Sequence, residues 1–317
     1  MEAMREWGAD AGNDLPAHAV ICTERALGRI RAWRKKAKGR AKGKPPAVLL
    51  KALVHVRSIP TAVGAPGDHY WLPRLGRWAS PTEVLRLFGA PEQSSLMLAV
   101  RDGPIPISAG SVVACLGRSV HVEAALRIIR MAMDRVQLPE DPRYAASCAG
   151  IDLFAVAFEM YMKEQEVLGQ GAGKWTYVHA SEWRKSVAAT LVKVYAHRGL
   201  TTQALIKDAR KLAPSIGPCE IWSFTPPCEP FSKRNHVKSE EGYMAAAVEL
   251  QQMLWYPIMW RPLVILVENV AEREAVAAIT AALLVIVGYD WLEVDTQAAD
   301  YTGMARNRHM WVGIRHD

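Results

Sequence analysis

The run Pro262-Leu263-Val264-Ile265-Leu266-Val267-Glu268-Asn269-Val270 decides how the rest of the chain is laid out. A continuous apolar run rich in β-branched side chains reads as a strand buried on both faces, which belongs at the centre of a sheet. Outward from it the hydrophobic pattern alternates. Strand candidates at 144–148, 175–180, 219–225, 262–267, 290–295 and 309–315 are separated by helical stretches at 153–165, 183–198, 241–260 and 271–287. Strands alternating with helices predict a parallel sheet. The expected architecture is therefore α/β and doubly wound, with ligands bound outside the carboxyl ends of the strands.

Upstream the pattern is less regular. Ser80-Pro81-Thr82-Glu83 starts a helix, with Ser80 as N-cap, Pro81 at the first helical position and Glu83 closing a capping box. Gly89 stops it. Apolar residues at helical spacing predict a second helix over 111–133, and residues 134–144 read as a linker. Residues 57–79, rich in Gly, Pro and Trp, read as loop. Before them a brief strand over 48–56 and a helix over 16–33 are expected.

Composition bounds the function. Half of the 317 residues are apolar and 22% are charged, an ordinary globular balance. No apolar run is long enough to span a bilayer, and the charged start, residues 1–10, does not read as a secretory signal. The five cysteines are scattered without Cys-x-x-Cys spacing, which fits a reducing compartment and no zinc; the histidines form no ligand pair, so no metal is expected. The net charge of +7 is local: Arg29, Arg31, Arg34, Lys35, Lys36, Lys38, Arg40, Lys42 and Lys44 place nine positive charges and no negative one in sixteen residues. Removing those nine leaves −2 for everything else. Such a run suits contact with a polyanion, or is a solvated basic segment without a partner.

Several strand ends carry chemistry. Glu220-Ile221-Trp222-Ser223-Phe224 runs into Thr225-Pro226-Pro227-Cys228-Glu229-Pro230-Phe231-Ser232, where prolines hold the loop extended around one thiol. A thiol mounted this way suits a nucleophile, or is an inert cysteine in a Pro-rich turn. Glu268, emerging from the central strand, is partly desolvated there, which raises a carboxyl pKa and makes a proton donor; helix capping is the alternative. Cys148-Ala149-Gly150-Ile151-Asp152 is a small-residue turn into a helix that lets backbone N–H groups approach a ligand, or simply packs. Glu182 is placed to accept both ribose hydroxyls of a nucleoside cofactor, with Trp183 beside the base, or it caps the next helix. Arg306-Asn307-Arg308 directs two guanidinium groups the same way if extended, suiting a carbonyl or phosphate ligand; surface arginine is the alternative.

The order of these motifs resembles the DNA (cytosine-5) methyltransferase family. The resemblance implies that Cys228 is the nucleophile, that Glu268 contacts cytosine N3, and that Arg306 and Arg308 clamp a flipped base and its backbone. It implies a Rossmann-like fold of the S-adenosylmethionine-dependent type, with S-adenosylmethionine as cofactor. On that resemblance Cys148, Ala149, Gly150 and Ile151 form the cofactor turn, Glu182 holds the ribose, Trp183 lies beside the adenine and Asp208 meets its amino group. Pro227 borders the cofactor and Ser232 the DNA. Gln297-Ala298-Ala299-Asp300-Tyr301 is similar to the family's Asn-Ala-x-x-Tyr lead into the arginine pair.

The family's closing motifs resemble stretches that stand here in front. Ser80 through Pro91 looks like its Thr-Pro-Arg-Glu helix, and Cys115-Leu116-Gly117-Arg118-Ser119-Val120-His121-Val122 its Gly-Asn-Ser-Val-x-Val segment, placing Ser119 and Val120 beside the cofactor. The chain thus reads as circularly permuted, which is physically cheap where the joined termini lie close together. The expected division is a basic arm at 1–57 with a reduced DNA-contacting region, the permuted closing motifs at 58–135, and the cofactor-binding and catalytic domain at 136–317. Arg34, Lys35, Lys36, Lys38 and Arg40 of the arm would hold phosphates, and so short an arm offers few base-edge contacts. Low sequence specificity, or a partner subunit that supplies it, is the expectation. The substrate expected is duplex DNA with a flipped cytosine, with RNA, or a weakly catalytic nucleic-acid-binding relative, as alternatives. The expected compartment is intracellular: the nucleus of a eukaryote, or the cytoplasm or nucleoid for a bacterial or viral protein.

Overall fold

The computed structural model describes residues 22–23, 70–72, 77–103, 106–116, 119–171, 173–197, 205–206, 208–211, 216–228, 240–298 and 306–316. A seven-stranded sheet organises it. In chain order its strands are β4 (Arg143–Ser147), β5 (Thr176–Ser181), β6 (Leu205–Ile206), β7 (Ile221–Phe224), β8 (Val264–Val270), β9 (Tyr289–Gln297) and β10 (Asn307–Arg315). They lie side by side as β6-β5-β4-β7-β8-β10-β9. Neighbours from β6 through β8 are parallel, and β10 runs antiparallel to both β8 and β9. The expected doubly wound, mostly parallel α/β architecture is present.

Strand periodicity assigns side chains to the two faces. Every residue of β8 is buried, as its apolar run demands. Val264 and Leu266 pack on one face with Ile221, Met310, Val312 and Ile314. Ile265 and Val267 pack on the other with Trp222, Phe224 and Trp311. Two residues further along, the same alternation sends Glu268 to the first face and Asn269 to the second. In β10 it sends Arg308 with Met310 to the first face and His309 with Trp311 to the second. The ladder pairs Met310 with Glu268 and Arg308 with Val270, so acid and guanidinium emerge together at the carboxyl end of β8.

The first face is covered by α1 (Pro81–Leu87), α2 (Ser95–Asp102), α3 (Ala109–Leu116), α4 (Val122–Met133), α5 (Leu153–Val167) and α6 (Lys185–His197). The second carries α7 (Glu240–Met253), α8 (Trp255–Trp260) and α9 (Arg273–Leu283). Helix α5 follows β4, and its residues 153–159 are all buried, which places it against the sheet centre. Helix α1 starts as its sequence predicts: the Ser80 hydroxyl accepts from Glu83 N–H, and the Glu83 carboxylate accepts from Ser80 N–H at 2.7 Å. Gly89 closes it at φ +82°. Strand β9 is an edge, and Gly313 of β10 leaves room for the Trp291 ring beside it: an added Cβ would stand 2.8 Å from the indole.

Several expectations are corrected. The helix over 111–133 is two helices, because His121 starts α4 afresh with its ring Nδ1 accepting from Glu123 N–H. The stretch 241–260 also breaks, at Leu254, where α8 begins and brings Pro257 into its first turn. A proline lacks the N–H that a continuous helix would need there. Residues 57–79 are not all loop: β2 (Tyr70–Leu72) pairs antiparallel with β3 (Arg77–Trp78). The helix over 16–33 fails at Cys22–Thr23, which form β1 and pair with Trp71 and Tyr70. Backbone pairing across distant segments overrides local periodicity here. Helix α2 and strand β6 were not expected; β6 is too short to carry a pattern. The strand over 48–56, the basic run with Arg34, Lys35, Lys36, Lys38 and Arg40, and Ser232 lie outside the described residues. Among the described residues no helix is long and apolar enough to cross a membrane. None of them forms a group of three His, Cys, Asp or Glu able to hold a metal ion.

Candidate active site

A cleft opens at the carboxyl ends of β4, β5, β7 and β8. Cys228, Glu268 and Arg308 line it together with Gly150, Glu182, Trp183, Pro227 and Cys148. Residues separated by up to 160 positions, from Cys148 to Arg308, are thus gathered in one cleft.

On the Cys228 side, β7 ends at Phe224 and the two prolines carry the chain to Cys228, which is partly exposed and packs against Val270 and Ala275. Asn269, buried, donates from Nδ2 to the Pro226 carbonyl at 3.1 Å and accepts from Val270 N–H at 2.8 Å, pinning the loop to β8. Glu268 is buried as expected, but it is not an isolated acid. The Arg308 Nε lies 2.5 Å from its carboxylate, with the two side chains 13% and 4% exposed. A buried carboxylate of this kind needs such a partner, since an uncompensated charge would cost several kcal/mol (order of magnitude).

Arg306 is buried more deeply than Arg308. Burial, and then Arg308, pushes its pKa down to about 9, against the pull of Glu268 and Cys228. Its guanidinium sits 5.8 Å from the centre of the Phe88 ring, a cation–π contact. His121 is adjacent: burial, and then Arg306, holds it down to about 4. Phe88 accepts a backbone hydrogen bond from Val122, and Gly89 leaves space that the His121 ring occupies. Phe88 and His121 therefore lie beside Arg306, which, unlike Arg308, is not among the residues that line the cleft.

On the opposite side, the turn after β4 has left-handed backbone at Cys148 (φ 55°), Gly150 (φ 60°) and Asp152 (φ 54°). Cys148 N–H donates to the Ser181 hydroxyl at 3.1 Å and Ala149 N–H to the Ser181 carbonyl at 2.8 Å. Gly150 N–H donates to one Glu182 oxygen at 3.2 Å, and Arg184 N–H to the other at 2.8 Å. Ile151 is fully buried and Ala149 nearly so. Asp152 caps α5 by accepting from Ala155 N–H and is held by the Tyr144 and Tyr177 hydroxyls. Trp183 is 60% exposed, with Arg184 5.4 Å from its ring centre. Ser119 lies against Gly150, where an added Cβ would stand 3.6 Å from its hydroxyl, and Val120 is buried beside it.

Asp208 stands apart. It does not line the cleft; Arg210 donates to both its oxygens at 2.9 Å, which holds its pKa below the usual carboxylate range. Burial, and then Glu182, pushes the Cys148 thiol up. Sequence reasoning missed Thr225, Asn269, Ser181 and Phe88, whose parts come from contacts across the fold and leave no local signal.

A turn with a glycine in left-handed backbone, a carboxylate at the next strand end and an exposed indole are groups of the kind that hold a nucleoside. The strand order, mostly parallel with one antiparallel strand β10, is a doubly wound, Rossmann-like arrangement. No protein-family model and no curated protein matches the sequence. Among solved structures the chain is similar to the S. pombe Dnmt2 methyltransferase (15% identity, TM-score 0.35, 55% of this chain and 51% of that one). It is also similar to the METTL16 MTase domain (11%, TM-score 0.43, 70% and 94%). A third is the magnesium protoporphyrin IX methyltransferase of Synechocystis PCC 6803 with bound SAM (8%, TM-score 0.38, 75% and 98%). The chain spans about half the length of the first of these.

Proposed function

We propose that this chain transfers a methyl group from S-adenosylmethionine to carbon 5 of a flipped cytosine in DNA, and that it is a circularly permuted member of the DNA (cytosine-5) methyltransferase family. One observation carries the reading: Cys228, Glu268 and Arg308 share a cleft with the Gly150 turn, Glu182 and Trp183. The permutation is supported by two contacts of the closing-motif residues, Phe88 with Arg306 and Ser119 with the Gly150 turn.

When bound, S-adenosylmethionine supplies an electrophilic methyl group. Glu182 and Trp183 hold its nucleoside, with Ser119, Val120 and Pro227 at the border. Addition of the Cys228 sulfur to carbon 6 of cytosine makes carbon 5 nucleophilic. Glu268, oriented by Arg308, holds N3 and balances charge there. After carbon 5 has taken the methyl group, with S-adenosylhomocysteine as the leaving thioether, its proton passes to solvent, the carbon 6–sulfur bond breaks to release the thiolate, and the ring is restored. Arg306, buried over Phe88, stiffens the clamp from below. The basic arm, including Arg34, Lys35, Lys36, Lys38 and Arg40, and Ser232 would contact DNA phosphates, and a partner subunit would supply sequence choice.

A second reading, a nucleic-acid-binding relative with weak turnover, is favoured by Asp208, whose carboxylate is engaged by Arg210 rather than offered to a base. Trapping separates the two. Wild type incubated with cofactor and 5-fluorocytosine DNA is expected to give a denaturant-stable adduct that Cys228→Ser does not. Labelled methyl transfer to DNA and to RNA identifies the polymer. Absence of adduct and of transfer to either polymer would overturn the enzyme reading.

A further inference from the structure

Thr225 is where the two sides of the cleft meet. Its backbone N–H donates to the Ser147 carbonyl at 3.2 Å, and its hydroxyl donates to the Cys148 carbonyl at 2.6 Å. Cys148 is a non-glycine residue with left-handed backbone, a conformation that a Cβ resists and that needs outside support. The amides of its turn are held from the end of β5 by Ser181 and Glu182; Thr225 is the group that holds its carbonyl, from the end of β7.

Beyond Thr225 the chain has little freedom. Pro226 and Pro227 have φ fixed by their rings, and Asn269 anchors the Pro226 carbonyl to β8. A displacement of the Cys148 carbonyl is therefore passed through Thr225 and two stiff residues to Cys228. Free rotation at those positions would otherwise absorb it.

We infer that the Thr225 hydroxyl is a positioning group that ties the 148–150 turn to the Cys228 loop, so that the cofactor side and the nucleophile side of the cleft move as one unit. The inference deepens the proposed function and rests on it for the roles of the two loops, while the tie itself is a property of the ligand-free fold.

Two cysteines report on its two ends. In ligand-free protein, iodoacetamide labelling followed by mass spectrometry gives separate rates for Cys148 and Cys228, and buried Cys219, which does not line the cleft, reports whether the fold is intact. Thr225→Val keeps the shape and removes the hydroxyl; it is expected to raise both rates together by about fivefold, the worth of one hydrogen bond in an opening equilibrium. Thr225→Ser keeps the donor and is expected to label at wild-type rates. Unchanged rates in the valine variant, a change at Cys228 alone, or an equal rise in the serine variant would each overturn the tie. Should the valine variant label at Cys219, Thr225→Ala carries the same comparison. Calorimetry of wild type with S-adenosylhomocysteine tests the roles separately. No binding, with coordinated labelling intact, removes the cofactor reading and leaves the tie standing.

Discussion

Acid should loosen this fold in a pH window where carboxylates are still charged, and His179 and His121 set that window. His179 on β5 is fully buried, neither ring nitrogen has a hydrogen-bond partner among the described residues, and it meets the Tyr256 ring edge-on at 4.7 Å. Burial lowers it from an ordinary 6.5 to about 3, and His121 is lowered to about 4 by burial and Arg306. Both folded pKa values lie below the unfolded one, so between them the unfolded chain binds more protons. Stability is then fully present above pH ~6.5 and falls as pH drops, until the folded pKa is reached. At pH 5 each site has lost roughly 1.5 units' worth, about 2 kcal/mol, or about 4 kcal/mol together.

Urea denaturation of wild type and His179→Phe at pH 7.5 and pH 5 measures the share of one site. Phenylalanine keeps the aromatic contact with Tyr256 and removes the titration. The loss between the two pH values is expected to be about 2 kcal/mol smaller in the variant. Other titrating groups cancel in the comparison. An equal loss in both proteins would show that His179 is not held neutral by burial and would refute the reasoning.

Two further outcomes follow from packing and charge. Gly313→Ala forces a methyl group into the Trp291 indole on β9 and is expected to cost roughly 1–3 kcal/mol, read as a lowered urea midpoint at unchanged slope. Arg308→Met removes the guanidinium in contact with buried Glu268 and is expected to cost roughly 3–5 kcal/mol; adding Glu268→Gln should recover most of it in a double-mutant cycle. Additive losses in that cycle would show that the two side chains do not interact.

What could be read from residues alone was what is decided by neighbours in the chain. The apolar run of β8 needs burial on both sides whatever surrounds it, and the Ser80 capping box closes within one turn, so both are legible without a structure. The parity of β8 and β10 likewise follows from strand geometry once the strands are known. The tertiary structure decided the rest, because ion pairs, rings and hydrogen bonds between distant segments depend on which elements stack. Only packing could place Phe88 under Arg306, give Glu268 the Arg308 guanidinium, close Arg210 on Asp208 and join Thr225 to Cys148. It also overrode local pattern where partners were better than periodicity: Cys22–Thr23 pairs with Trp71 and Tyr70 as a strand within a stretch patterned as helix, and His121 starts a helix anew because its ring caps Glu123. Short-range sterics and burial are written residue by residue; long-range electrostatics acquire their distances only when the chain is folded.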